Sequence, residues 1–238
     1  MPLIDTGEGV AEPVSGTVSS KSQNVFVVAK TRVFLEIGSK RVFANAADWP
    51  GWSRVGKTEE SALENLAAYA PRYAKVAKLA KIELPKDATK FDVVERIKGN
   101  GAIDYGVPAV PAKAEAKKLS AAGAERISSL IDACWKYLDQ VRANAPAELT
   151  KGPRGGGRDR DKMFVHVVEA EHGYSRPMGL RIKPADPDDG TSVRALRKQI
   201  LATLRDPIPD AKWSAAYAAR RIAWHALDHA WEMEDRIP

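Results

Sequence analysis

The hydrophobic pattern of the chain changes at about residue 120, and this change sets what the second half can fold into. From there to the end, apolar residues recur every three or four positions, as on the buried face of an amphipathic helix. The first such stretch has them at Ile127, Ile131, Cys134, Leu138 and Val141. Further helices are predicted over residues 161–174, around 193–204 and over 213–236. Four helices joined by short to moderate loops predict an antiparallel four-helix bundle over residues 120–238.

The first half has a different pattern. Val/Phe-rich runs between residues 25 and 46 flank Gly38-Ser39-Lys40, which predicts a β-hairpin. The next stretch, DWPGWSRVGKT, is predicted to be a loop because of its proline and two glycines. Thr58 is suited to cap a following helix, which Pro71 should end or kink, and FDVVERI at 91–97 predicts a further strand.

The predicted fold class is therefore α+β, a small N-terminal α/β domain followed by the four-helix bundle. We divide the chain into a disordered tail at 1–22, the small domain at 23–105, a linker at 106–119 and the bundle at 120–238.

Composition narrows the classes of function. The net charge of +6 is spread along the chain, so nucleic-acid binding is disfavoured. No stretch is apolar enough for a membrane helix and no secretion signal is visible, which predicts a cytoplasmic protein without a membrane partner. The single cysteine, Cys134, excludes an internal disulfide, and its place on the helical stripe predicts a buried packing residue. A homodimer is left open.

All four histidines lie in the second half, and two of them form an HxxxH pair in AWHALDHAWEMEDR. At 100° per residue, His229 lies about 40° from His225 and one turn along, so both rings point the same way. A helical projection places the pair on the border between an apolar arc and an Arg/Asp arc. Such a pair either shares a metal ion or packs on the flank of an amphipathic helix.

A third imidazole would favour the metal site. In KMFVHVVEAEHGY, His166 shares its side of the helix with two small residues, Ala170 and Gly173, whereas His172 lies about 120° away and is expected to be solvated. Three neutral imidazoles with an open position are typical of a catalytic metal site. Glu169 would then hydrogen-bond a ligand or act as a base, or it is a surface charge.

The stretches FVHVVEAEHGY and WHALDHAWEMEDR resemble the DinB-like family of four-helix bundles. The resemblance covers roughly residues 120–238 and implies that His166, His225 and His229 bind a divalent metal, zinc or nickel. It further implies a metal-dependent transferase or hydrolase that uses a low-molecular-weight thiol, such as mycothiol or bacillithiol, and acts on a small-molecule electrophile. Arg221 and three loop residues, Arg154, Arg158 and Arg160, either attract an anionic thiol or substrate or are simply solvated charges. Glu169 and Arg221 are thus the catalytic candidates.

The segment ADWPGWSRVGKTEESALENLAAY is similar to the HicB-like pattern of strand, Pro-Gly loop, turn and acidic helix start. That resemblance covers about residues 25–80, lacks an attached DNA-binding segment and is interrupted by Pro71. It implies the alternative function, a non-catalytic binding protein of antitoxin type. Trp49 and Trp52 either anchor a partner or cover the end of the sheet. The glycine run at 155–157 lacks the Lys-Ser/Thr ending of a phosphate loop and is expected to be a flexible connector.

Overall fold

The computed structural model describes residues 30–152 and 156–238. The predicted tail at 1–22, the start of the predicted hairpin at 25–29, and Arg154 and Gly155 of the predicted connector lie outside the described residues. The fold is mixed α+β, with a four-stranded sheet on the N-terminal side followed by a helical C-terminal half.

The sheet contains four strands in the order β3-β2-β1-β4. Their bounds are Thr31–Ile37 for β1, Val42–Ala46 for β2, Ser53–Gly56 for β3 and Phe91–Lys98 for β4. The predicted hairpin is confirmed, because β1 and β2 pair antiparallel across the turn at residues 38–41. The predicted strand at 91–97 is also confirmed as β4, which pairs parallel with β1.

Strand β3 corrects the loop predicted for DWPGWSRVGKT. Residues 53–56 pair antiparallel with β2, and the register joins Ala44 to Arg54. The stretch is too short and too polar to carry an alternating signal, so pairing with β2 rather than local sequence makes it a strand. Gly56 permits the next helix to lie close, since a Cβ there would be 2.3 Å from the backbone nitrogen of Ala62.

Three helices complete the N-terminal part: α1 at Glu59–Ala68, α2 at Ala70–Leu79 and α3 at Gly101–Asp104. Thr58 caps α1 as expected, with its hydroxyl accepting a hydrogen bond from the Ser61 amide. Pro71 lies in the first turn of α2, so the predicted break in the helix is confirmed. In the predicted linker, a short 3₁₀ helix at Lys113–Ala116 buries Ala112 and Glu115 rather than standing free.

The C-terminal half has four long helices: α4 at Ala121–Asn144, α5 at Arg160–Ser175, α6 at Gly190–Arg205 and α7 at Ala215–Asp235. Side chains of Ser120, Asp189 and Ser214 cap α4, α6 and α7. Helix α7 packs along α4, and α5 and α6 contact both of them. Within residues 30–152 and 156–238, no helix is both long and apolar enough to cross a membrane.

One hydrophobic core runs from the sheet into the C-terminal helices. Trp49 and Trp52 are buried in it, so the idea that they anchor a partner is wrong and the covering role is correct. Trp52 stacks on Tyr73 at 5.3 Å, and its Nε1 donates a hydrogen bond to the Leu66 carbonyl oxygen. Gly51, with φ +91°, lies directly against α7.

A buried ionic network also joins the sheet to α7. The guanidinium of Arg220 donates hydrogen bonds to Glu36 in β1 at 2.8 Å and to Glu115 in the 3₁₀ helix at 2.6 Å. All three side chains are nearly inaccessible to solvent. Because separating a buried ion pair leaves its charges uncompensated at a large cost, this network fixes the position of α7 against the sheet.

Candidate metal centre

The three histidines predicted as ligands come together between α5 and α7. One ligand nitrogen from each of His166, His225 and His229 can be chosen so that all three lie within 4.8 Å of one another. Helix α7 supplies two of them at i, i+4, and α5 brings the third by packing against α7. The Nε2 atoms of His166 and His225 are 3.2 Å apart.

The protonation of the cluster suits a metal. Burial disfavours the charged imidazolium and lowers the pKa of His225 to about 2, with further lowering from the other two histidines. Burial also lowers the pKa of His166, as does the nearby charge of Arg158. Both rings are therefore neutral at pH 7, which is the form that binds metal ions.

The spacing of the nitrogens agrees with that expected for a shared ion. Metal–nitrogen bonds of about 2.05 Å in tetrahedral geometry place two ligand nitrogens about 3.3 Å apart. The observed 3.2 Å between His166 and His225 is close to this value. A direct hydrogen bond between the two rings, with one Nε2 protonated, would give a similar distance. The donor set fits a divalent ion, and the two arrangements differ in whether the shared space holds a cation or a proton.

Glu232, to which no role was assigned from the sequence, holds His229 in place. Its carboxylate is 2.9 Å from Nδ1 of His229 and also accepts a hydrogen bond from Arg236 at 2.8 Å. The hydrogen bond with His229 is the main cause of the lowered pKa of Glu232. A proton held on Nδ1 leaves Nε2 free as a ligand. The i, i+3 spacing from His229 is a signal by which the sequence could have identified this residue.

The other predicted site residues lie at the rim or apart from the cluster. Glu169 is exposed and makes no side-chain hydrogen bond within the described part of the chain, although its charge acts to raise the pKa of His166. Arg158 is exposed as well. Arg160 points to Asp161 and to the carbonyl oxygen of Ala145.

His225 lies deeper than the border position that the projection indicated. It is only 7% exposed, and two aromatic side chains outside the cluster pack beside it. The rings of Tyr174 and Trp224 lie 5.7 and 5.8 Å from its ring, and Trp213 packs on Tyr174. Arg221 is buried beside this aromatic group. Further along α5, Gly173 is exposed, and a Cβ on it would meet no described atom within 4 Å.

Two remaining expectations have definite outcomes. His172 is buried rather than solvated, and its Nε2 lies 3.0 Å from the carbonyl oxygen of Ile182, because the chain after α5 folds back over it. Cys134 is fully buried, as predicted, and burial raises the pKa of its thiol. Neither residue belongs to the cluster.

Comparisons with models of known protein families, with curated proteins and with solved structures find no match for this chain. The site itself therefore carries the functional conclusion.

Proposed function

We propose that this chain binds one divalent metal ion, zinc or nickel, through His166, His225 and His229, and that the site supports a thiol-dependent transferase or hydrolase activity. The proposal includes the DinB-like assignment, in which α4 to α7 make up an antiparallel four-helix bundle. The observation that carries it is the convergence of three imidazole nitrogens within 4.8 Å, two of them from rings with lowered pKa values.

The donor set indicates a reactive rather than a structural ion. Three protein ligands are one short of the four that close a structural zinc site. When bound, such an ion holds a coordinated thiol as the thiolate at neutral pH. Residues of the chain position the ligands and exclude water. Glu232 fixes His229, and the rings of Tyr174 and Trp224 keep water from His225.

Elemental analysis of protein purified without a polyhistidine tag tests metal binding. After incubation with zinc or nickel and removal of free metal, the parent should hold about one equivalent, and His225→Ala should hold less than about a tenth. His172→Gln is the matched control, since it removes a histidine of the same helix pair outside the cluster and should leave metal content unchanged. A parent that holds less than about a tenth of an equivalent would end the proposal.

Glu169 is proposed as the proton acceptor of the reaction, because its exposed carboxylate lies one helical turn from His166 and its charge acts on the pKa of that ring. Glu169→Gln should keep the metal and slow conjugation of a low-molecular-weight thiol to a chromogenic electrophile by about a hundredfold. An unchanged rate would assign Glu169 to the surface.

The alternative, a non-catalytic binding protein of antitoxin type, predicts a small partner protein that copurifies in near-equal amount. One observation that favoured this alternative no longer does so, because Trp49 and Trp52 are buried and cannot contact a partner protein.

A further inference from the structure

Arg221 differs from the other buried arginines of the described chain. Three arginines are buried within residues 30–152 and 156–238, namely Arg197, Arg220 and Arg221. Arg197 and Arg220 each contact two carboxylates. Arg221 is 6% exposed, and its hydrogen-bond partners in the same part of the chain are two phenol hydroxyls. A guanidinium this deeply buried carries a desolvation cost that a carboxylate normally offsets.

The contacts of Arg221 hold it in position without neutralising it. Its Nη2 lies 3.2 Å from the hydroxyl of Tyr174, and its Nη1 lies 3.5 Å from that of Tyr217. The rings of Tyr174, Trp213 and Trp224 lie 5.2 to 5.8 Å from the guanidinium carbon. Aromatic rings attract a cation but bring no negative charge. The Nε atom is buried and has no hydrogen-bond partner among the described residues.

The charge of Arg221, which has no carboxylate partner among the described residues, lies beside the histidine cluster. Tyr174, which accepts from Arg221, also packs edge-on against the ring of His225 at 5.7 Å. In the proposed metal-bound state, three neutral imidazoles would leave the charge of the ion uncompensated, so the local positive charge would increase further. This buried positive charge costs folding stability, but it favours the binding of an anionic ligand.

We infer that Arg221 binds a carboxylate group of the small molecule that the histidine site acts on. The inference rests on the proposed function only for the identity of the site, and it adds the chemical class of the ligand. The Nε atom, which has no partner among the described residues, and the adjacent Nη form an edge with two parallel N–H donors, which matches the two oxygens of a carboxylate. Tyr174 and Trp213, both partly exposed, provide an aromatic wall for the rest of the molecule.

Calorimetric titration with two probes, succinate and inorganic phosphate, tests the inference in low-chloride buffer. The full chain is used in metal-free and zinc-loaded forms, as the parent and as Arg221→Met, Arg221→Lys and Arg194→Met. Arg194→Met is the matched control, because this exposed arginine on α6 donates a hydrogen bond to Thr191 and contacts no carboxylate among the described residues. Zinc content and thermal unfolding midpoint are measured on the same samples.

Succinate should bind the parent and Arg194→Met equally, and Arg221→Met about ten- to a hundredfold more weakly. Arg221→Lys, which keeps the charge but loses the planar fork, should bind more weakly than the parent. Without probe, Arg221→Met should unfold at a temperature no lower than the parent, since it removes a buried charge that no carboxylate of the described residues pairs with. A residue with a purely structural role would lower that temperature instead.

Equal succinate binding by the parent and Arg221→Met would overturn the inference, as would the absence of succinate binding by the parent. Binding of phosphate alone would overturn the carboxylate assignment. The two proposals fail separately. If the protein does not bind zinc but binds succinate through Arg221, the metal proposal fails and the inference is supported. If it binds zinc but not succinate, the metal proposal is supported and the inference fails.

Discussion

Replacing His225 with glutamine, which does not titrate, should reduce the loss of folding stability at acid pH in the metal-free protein. In the folded chain burial lowers the pKa of this imidazole from 6.5 to about 2. Below pH 6.5 the unfolded chain gains a proton that the folded chain does not bind, so the free energy of unfolding falls as the pH falls. The stability linked to neutral His225 is fully present above the unfolded pKa and declines continuously toward the folded one.

The magnitude follows from that shift. Each pH unit in this window costs about 1.4 kcal/mol for one fully shifted group. Between neutral pH and about pH 5, the parent should lose about 2 kcal/mol through His225 alone. Other groups, including His166, add to the total loss, so the informative quantity is the difference between the parent and His225→Gln, which keeps a polar side chain and does not titrate.

Urea unfolding of EDTA-treated samples at several pH values measures this difference. The variant should lose about 2 kcal/mol less than the parent over the same interval, with unchanged dependence on urea concentration. Parallel losses in parent and variant would mean that the folded protein accepts a proton on His225 without penalty, and the reasoning from burial would be refuted. Zinc should protect the parent by a margin that grows with metal concentration and is absent from the variant.

Three further outcomes are expected. Glu232→Gln should weaken zinc affinity about ten- to a hundredfold in a competition assay with a chelator, because Glu232 positions His229 although it is not itself a ligand. Unchanged affinity would contradict this positioning role. Arg220→Met should lower the free energy of unfolding by about 3–5 kcal/mol because it leaves Glu36 charged and unpaired in the core, and a loss below about 1 kcal/mol would argue against the buried network. Gly51→Ala should destabilise by about 1–3 kcal/mol, since its Cβ would lie 2.8 Å from a side-chain carbon of α7, whereas Gly173→Ala, with open space around its Cβ, should be neutral or stabilising.

Much of the fold could be predicted because its signals are local. The turn at Gly38-Ser39-Lys40, the cap at Thr58 and the break at Pro71 each depend on a few neighbouring residues. The long helices show their period over several turns, so their bounds were predicted to within a few residues. Strand β3 was missed because it has only four residues and is defined by its partner rather than by its own composition.

The sequence by itself determined that His225 and His229 face the same way, since helix geometry fixes the direction of side chains four positions apart. It also indicated His166 as the third member of the cluster. Only the tertiary structure decided that His166 lies 3.2 Å from His225, a contact between residues 59 positions apart.

The same holds for the two adjacent arginines of α7, which no local rule distinguishes. Arg220 reaches Glu36, 184 positions away in the chain, and gains a counterion. Arg221 turns toward the aromatic rings beside the histidines and gains none within the described residues. Pairing of buried charges depends on which distant segments pack together, and that is set by the whole fold rather than by neighbours in sequence.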